Sequence, residues 1–182
     1  MSQALGQGGA IQWAMPFRPG EYRESTGAEA LDLDHLLGHR WQTDDGDVLM
    51  LVKNHTVTTV APRARGYKWQ AYTSKTVTAG TVAENLAGVG DNNLPAAQVI
   101  PSGAYFYLHV DGEFYVSQGD DGAAFVTAGE YAVLDNDGDT GRFKTAGNAT
   151  FVNPQTTVLM ALETATVDEQ EALVRAILPL VG

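Results

Sequence analysis

Residues 100–116, IPSGAYFYLHVDGEFYV, carry the strongest β pattern in this chain of 182 residues. Four apolar residues alternate there with Tyr105, Tyr107 and His109, which is the period-two pattern of a strand with two different faces. Asp111-Gly112 follows as a turn of the kind favoured in tight hairpins, and apolar residues resume after it. The stretch therefore predicts a β-hairpin in the middle of an all-β domain.

Shorter β patterns surround this hairpin. Residues 48–53 are apolar on both faces, which predicts a central strand that is covered on both sides. Further strands are predicted at residues 57–60, 67–72, 125–127, 131–134 and 157–164. Turn signals recur every eight to twelve residues or so, the rhythm of a sandwich or barrel. We therefore expect a small antiparallel β-barrel or β-sandwich.

The last apolar segment, residues 171–180, leaves two structures open. Its Glu, Ala and Leu residues are good helix formers, whereas Pro179 favours a closing strand. As a strand it would pair with residues 157–164 and join both ends of the sequence into one closed sheet without exposed edges.

Residues 1–37 differ from the rest and are predicted to form an extended N-terminal arm, ahead of a β domain at residues 38–182. Glycine and proline interrupt both periodicities, yet the arm carries large apolar side chains at Trp13, Met15, Phe17 and Tyr22. These side chains either fold back on the chain's own barrel or become ordered on a neighbouring subunit. Within the arm, residues 28–37 suit a short helix or an extended strip.

The charge of the chain is unevenly distributed. The net charge is −11, and residues 76–141 hold ten acidic residues and no Lys or Arg. Nucleic acid would repel such a block, so no nucleic-acid partner is expected. The block is either a solvated surface or an outward face opposite neutral ends that are bound to something.

The sequence contains no recognisable catalytic site. Cysteine is absent, which excludes a thiol nucleophile and a disulfide framework and suits a reducing cytosol. No nucleophile elbow, phosphate loop or dinucleotide fingerprint occurs, and no apolar run reaches membrane-spanning length. We expect a protein that is not an enzyme, has no cofactor and has no membrane partner. Asp111 and Glu113 are interpreted as solvated carboxylates at a turn.

A run of aspartates has the residue types of a metal site. Asp135, Asp137 and Asp139 resemble the opening of a calcium loop, but the required sixth-position glycine and twelfth-position acid are Thr140 and Ala146. The loop is a weak calcium candidate that an ordinary turn also explains.

Basic and imidazole side chains give two further local patterns. His35 and His39 would share a helix face, as a metal site requires, although Gly38 weakens a helix there. Arg63 and Arg65 lie in a small basic cluster that predicts a salt bridge within the chain or to another subunit.

From Gly38 onward the sequence resembles the capsid decoration, or cement, proteins of tailed bacteriophages. The similar features are, in order, Asp44-Asp45-Gly46 followed by an apolar strand and Lys53-Asn54, AGTVAENLAGVG at 79–90, IPSGAYFYLHVDGE at 100–113, VLMALETA at 158–165 and ALVRAIL at 172–178.

The resemblance implies a β-tulip-like barrel that binds the outer surface of a filled head, commonly as a homotrimer. Such a protein is made in the host cytoplasm, becomes part of the virion and locks neighbouring major capsid protein subunits. The candidate capsid or subunit contacts are Trp13, Met15, Phe17, Tyr22, Arg63, Arg65, Tyr105 and Tyr107. The alternative is a head-fibre or tail-associated module that recognises a host surface glycan through Tyr105, Tyr107 and the acidic loop.

Overall fold

The computed structural model describes residues 14–24, 27–55, 62–71, 73, 75–79, 86–119, 126–134, 141–145, 159–166 and 170–176. These residues form one helix and eleven strands: α1 (Ala28–Leu36), β1 (Arg40–Gln42), β2 (Val48–Asn54), β3 (Gly66–Ala71), β4 (Thr76–Ala79), β5 (Leu86–Gly90), β6 (Tyr105–Asp111), β7 (Glu113–Ser117), β8 (Tyr131–Leu134), β9 (Phe143–Thr145), β10 (Leu159–Ala161) and β11 (Glu171–Ala176). The predicted all-β class is confirmed.

The first sheet closes into a five-stranded barrel in the order β2-β4-β3-β5-β6, because β6 pairs back onto β2. β1 adds to the outside edge of this closure by pairing with the first half of β2. All of these pairings are antiparallel except β2–β4, which is parallel. The predicted antiparallel barrel is thus confirmed with one parallel pair.

The second sheet is antiparallel throughout, in the order β7-β11-β10-β8-β9. Its inward side chains, including Phe114 and Val174, belong to the same buried cluster as Met50 and Phe106 of the barrel. The two sheets therefore share one core. Since the hydrophobic effect scales with the apolar area removed from water, this common core is what holds the sheets together.

The hairpin predicted at residues 100–116 is wrong, although both of its strands form. β6 pairs with β2 and β5 in the barrel, whereas β7 pairs with β11 in the second sheet. Both edges of β6 are therefore occupied, and no edge remains for β7. Gly112, at a φ of 101°, turns the chain from one sheet into the other. The Asp47 carboxylate fixes this corner by accepting the Glu113 N–H at 2.9 Å.

The two faces of β6 are different, as its alternation predicts, and both are buried. Phe106 and Leu108 point into the shared core, while Tyr105 and Tyr107 join a second buried cluster outside the barrel. β2 divides in the same way, which confirms the strand predicted at residues 48–53 as covered on both sides.

At the carboxyl-terminal end, β11 is a strand and pairs with β10 as expected. The prediction that this pair joins both ends of the sequence in one sheet is wrong, because β11 continues onto β7. The edges of β2 are already taken by β1, β4 and β6, so no edge is left for β11 there. Residues 126 and 127 do not form the predicted strand, and residues 57–60 and 177–182 lie outside the described part.

Candidate interaction surfaces

The described part of the arm is fastened to the outer face of the barrel by Phe17. Its ring centroid lies 4.6 Å from that of Tyr107, and its carbonyl accepts the Tyr107 hydroxyl at 3.0 Å. Trp41 meets the edge of Tyr107 at 6.0 Å, and Leu33 of α1 completes this cluster. Burial raises the pKa of Tyr107 to about 12, so the phenol remains a hydrogen-bond donor throughout the neutral range.

Backbone contacts continue the attachment beyond Phe17. Arg23 and Tyr105 exchange two backbone hydrogen bonds, each of 2.9 Å. The Gly20 N–H donates to the Asp91 carboxylate at 2.6 Å, and this carboxylate is buried. Residues 14–24 therefore fold back on the chain's own barrel, which is one of the two arrangements that the sequence leaves open. The division at residue 37 stays a prediction.

A polar triad docks α1 on the barrel. The Tyr105 hydroxyl donates to the Asp34 carboxylate at 2.7 Å and accepts from the Lys53 ammonium at 2.9 Å. The Tyr105 hydrogen bond lowers the pKa of Asp34 against the opposing effect of burial, and Lys53 adds to the lowering. Burial opposes the charge of Lys53, but its bonds to Tyr105 and Asp34 outweigh it and raise the pKa of Lys53.

Most of the predicted interface residues that the structure describes pack within their own chain. Phe17, Tyr105 and Tyr107 are buried against the chain's own residues, half-buried Met15 packs beside them, and half-buried Tyr22 packs against the shared core instead. Trp13 lies outside the described residues. A role of these side chains in contacts with a capsid or another subunit stays a prediction.

The basic cluster has at least one partner in the same chain. The Arg63 guanidinium forms a two-pronged pair with Glu171 of β11, with Nε–Oε1 at 2.8 Å and the second nitrogen–oxygen contact at 2.9 Å. This pair links a loop of the barrel to the second sheet. Arg65 is half-buried and also makes contacts within the chain.

Of the two metal patterns, the aspartate loop stays a prediction and the histidine pair does not form. Asp135, Asp137 and Asp139 lie outside the described residues, so the calcium hypothesis stays open. α1 ends at Leu36, and His39 instead lies 6.0 Å from the Trp41 ring, so the two histidines do not share a helix face. Within the described ranges, no three His, Asp or Glu side chains converge as a metal-binding group.

An acidic cleft lies where two Asp-Gly turns meet β11. It has a volume of about 480 Å³ and is lined by side chains that include Asp45, Asp47, Asp111, Glu113, Leu173 and Arg175. Sequence reasoning interpreted Asp111 and Glu113 as solvated and missed that their turn adjoins the turn at Asp45-Gly46. The available signal was their similarity: both place a carboxylate on each side of Gly, in the sequences DGD and DGE.

Behind the cleft lies a buried histidine. His109 Nδ1 lies 3.7 Å from an Asp47 oxygen, and Nε2 lies 3.7 Å from an oxygen of Asp91. Nε2 accepts the Asn92 N–H at 3.3 Å, whereas Nδ1 has no hydrogen-bond partner. Burial lowers the pKa of His109, and the two carboxylates oppose this shift.

The second sheet presents an uncovered outer face beside the cleft. Tyr115 lies opposite Leu173, and Met160 lies opposite both Arg175 and Tyr131 in the strand register. Tyr115 and Tyr131 are 40% and 43% exposed, and the aliphatic residues between them are half-buried. We call Tyr115, Leu173, Met160 and Tyr131 the outer sheet face.

The fold thus defines an all-β protein built from a closed barrel and a second sheet on one core. No protein-family model and no curated protein matches the chain. Among solved structures it is similar to the head fiber gp8.5 N base of bacteriophage phi29, with 14% identity, a TM-score of 0.45, and coverage of 71% of this chain and 93% of that one. So distant a likeness carries no argument about function. None of the helical residues described is in a helix long and apolar enough to cross a membrane.

Proposed function

We propose that this protein is a bacteriophage capsid decoration protein that binds the outer surface of the head and stabilises contacts between major capsid protein subunits. Its partners would be the major capsid protein and further copies of itself, in a homotrimer. It would be made in the host cytoplasm and reside on the virion exterior.

The observation that carries this proposal is where the similar sequence features lie in the fold. The Asp-Asp-Gly turn and Lys53-Asn54 bracket β2, the LAGVG segment is β5, and residues 100–113 contain β6 and its corner. Residues 159–165 and 172–176 supply β10 and most of β11. The resembling stretches thus contain β2, β5, β6, β10 and β11, so strands of both sheets contribute to the resemblance to decoration proteins.

The arrangement suits a protein that holds a shape on a lattice. The shared core joins both sheets, and the Arg63–Glu171 pair adds an ionic link between them. Decoration requires no single strong contact, because many weak contacts on a lattice combine through avidity. If the protein binds the assembled head more tightly than it binds separated subunits, this difference in binding free energy stabilises the head.

The alternative, a fibre or tail module that binds a host glycan, retains one supporting observation. Tyr105 and Tyr107 are buried, so their rings are not available to stack on a sugar. Tyr115 and Tyr131, on the other hand, expose aromatic surface on the outer sheet face.

The number of copies per particle separates the two functions. It is measured by quantitative peptide mapping of purified virions against the major capsid protein. A ratio near one to one, or a simple fraction of it, is the result expected for decoration. A few copies per particle would favour the fibre alternative, and absence from virions would overturn both.

A further inference from the structure

The acidic cleft offers carboxylate oxygen atoms that the described residues do not engage. One carboxylate oxygen of Asp47 accepts the Glu113 N–H. The other oxygen lies 3.7 Å from His109 Nδ1, which is too far for a hydrogen bond. Asp45 makes no hydrogen bond or ion pair with the residues that the structure describes, and Asp111 uses one oxygen on Gly112. Among the described residues, Arg175 forms an ion pair with Glu113 alone. The four carboxylates therefore exceed the single guanidinium by three charges.

The buried His109 lies behind Asp47 but does not engage its carboxylate by a hydrogen bond. The His109 side chain is 4% exposed, and its Nδ1, directed at the cleft-lining Asp47 carboxylate, has no hydrogen-bond partner. A buried polar atom without a partner is costly, so such atoms are rare unless a function requires them. Since no strong bond holds the outer oxygen of Asp47, this carboxylate can meet an incoming cation without losing one.

The outer sheet face extends the cleft on its apolar side. Leu173 and Arg175 line the cleft, and their register partners Tyr115 and Met160 belong to that face. Acidic and apolar surface are thus continuous. Tyrosine beside aliphatic residues is typical of protein contact surfaces, where aromatic residues are enriched.

The charges select the kind of occupant. A second copy of this chain has a net charge of −11, which opposes its approach to an acidic cleft. A lone metal ion has no converging set of ligands in the described part of the chain. A Lys or Arg side chain needs no such set, because it pairs with carboxylates one at a time.

We propose that the acidic cleft and the outer sheet face together dock a basic segment of a different protein, with a Lys or Arg side chain in the cleft and apolar side chains against Tyr115 and Leu173. This inference deepens the proposed decoration function, on which it rests, by naming the docking surface and the chemistry of the capsid partner.

The test measures binding of purified full-length protein to heads that lack it. Asp45→Asn removes a cleft charge at an exposed turn position that accepts asparagine, and Asp45→Lys reverses that charge. Asp32→Asn and Asp32→Lys make the same changes on α1, away from the cleft. We expect the apparent affinity to fall about tenfold for Asp45→Lys, less for Asp45→Asn, and hardly at all for the Asp32 variants. Wild-type binding should also weaken as salt increases.

The apolar part is tested in the same assay by Tyr115→Ser, with Leu31→Ser as its control. Leu31 is 63% exposed on α1, outside the proposed surface. Only the Tyr115 variant is expected to bind more weakly. Thermal unfolding of each variant verifies that it is folded.

Carbodiimide cross-linking on decorated heads then identifies the partner directly. Bonds from Asp45 or Asp111 to lysines of another protein are expected. Equal binding of the Asp45 and Asp32 variants, or cross-links from the cleft only to copies of this chain, would overturn the docking surface. If wild-type protein does not bind heads at all, the decoration function itself fails, and the docking inference fails with it.

Discussion

At the residue scale, the most informative side chain is Tyr105, because its hydroxyl serves two charged groups at once. It donates to Asp34 and accepts from Lys53 while the ring is fully buried. Sequence reasoning placed this tyrosine correctly on a face distinct from the core. It could not show that the chain's own helix covers that face, because a period of two reports alternation and not what lies opposite.

We therefore predict that Tyr105→Phe lowers the free energy of unfolding by about 1 kcal/mol, since it removes two hydrogen bonds to partly exposed partners that still pair with each other. Urea denaturation measures this change. Tyr115→Phe is the matched control: its hydroxyl makes no hydrogen bond with described residues, and a change within about 0.5 kcal/mol is expected. Equal losses in both variants would contradict the role of the triad.

His109 gives a second prediction at this scale. Because its pKa is lowered in the folded state, the unfolded chain takes up this proton more readily, and stability falls as pH drops below the ordinary value of 6.5. Asp47 and Asp91 face the ring and reduce the effect. His109→Gln should therefore lose less stability than wild type between about pH 7 and pH 5.5.

The measurement is the urea midpoint of both proteins at the two pH values. The exposed His39→Gln serves as the matched control for the loss of one imidazole. A His109→Gln profile that follows wild type would show that this group does not govern the acid response.

At the element scale, the attachment of the arm depends on Phe17 more than on any other described side chain of residues 14–24. Phe17→Ala should cost about 3–5 kcal/mol if the segment stays docked, and less if it detaches instead. Hydrogen exchange distinguishes the two results. We expect faster exchange at Gly20 and Arg23, whose amides bond to the barrel, and little change in β10 and β11.

Leu31→Ala on the exposed side of α1 should leave the exchange at Gly20 and Arg23 unchanged. Unchanged exchange in Phe17→Ala as well would mean that the backbone bonds alone hold the segment.

The elements also show where sequence reasoning ends. β2, β6 and β8 follow from alternation and apolar runs, because those patterns are local, whereas the segment of β11 left a helix and a strand open. The partner of each strand is not local: β7 follows β6 directly, yet it pairs with β11 some 60 residues later. The turn sequence Asp111-Gly112 fits both a hairpin and a corner, and the occupied edges of β6 decide between them. The cleft was missed for the same reason, since it requires two turns far apart in sequence.

At the scale of the whole molecule, the open question is what lies beyond the docked part of the arm. Trp13 is a large apolar side chain in a glycine-rich segment just before the Phe17 attachment. If the arm reaches a neighbouring subunit, Trp13→Ala should reduce occupancy on heads several-fold, as loss of an aromatic anchor does at other interfaces. The unfolding midpoint should remain that of wild type.

Occupancy is measured by mass spectrometry of heads incubated with equal amounts of either protein. Unchanged occupancy would remove Trp13 from the interface candidates. A lowered unfolding midpoint would instead mean that Trp13 packs within its own chain.

Closure of the barrel has a consequence for synthesis. β2 ends at Asn54, but its antiparallel partner β6 is complete only at Asp111, so a nascent chain must keep the β2 edge unpaired while more than 50 further residues emerge. β7 in turn waits for β11, which follows it by more than 50 residues. Such long-range pairing folds slowly. The two sheets should therefore be complete only after β11 has left the ribosome, and the emerging chain would depend on its acidic charge to remain dispersed in the meantime.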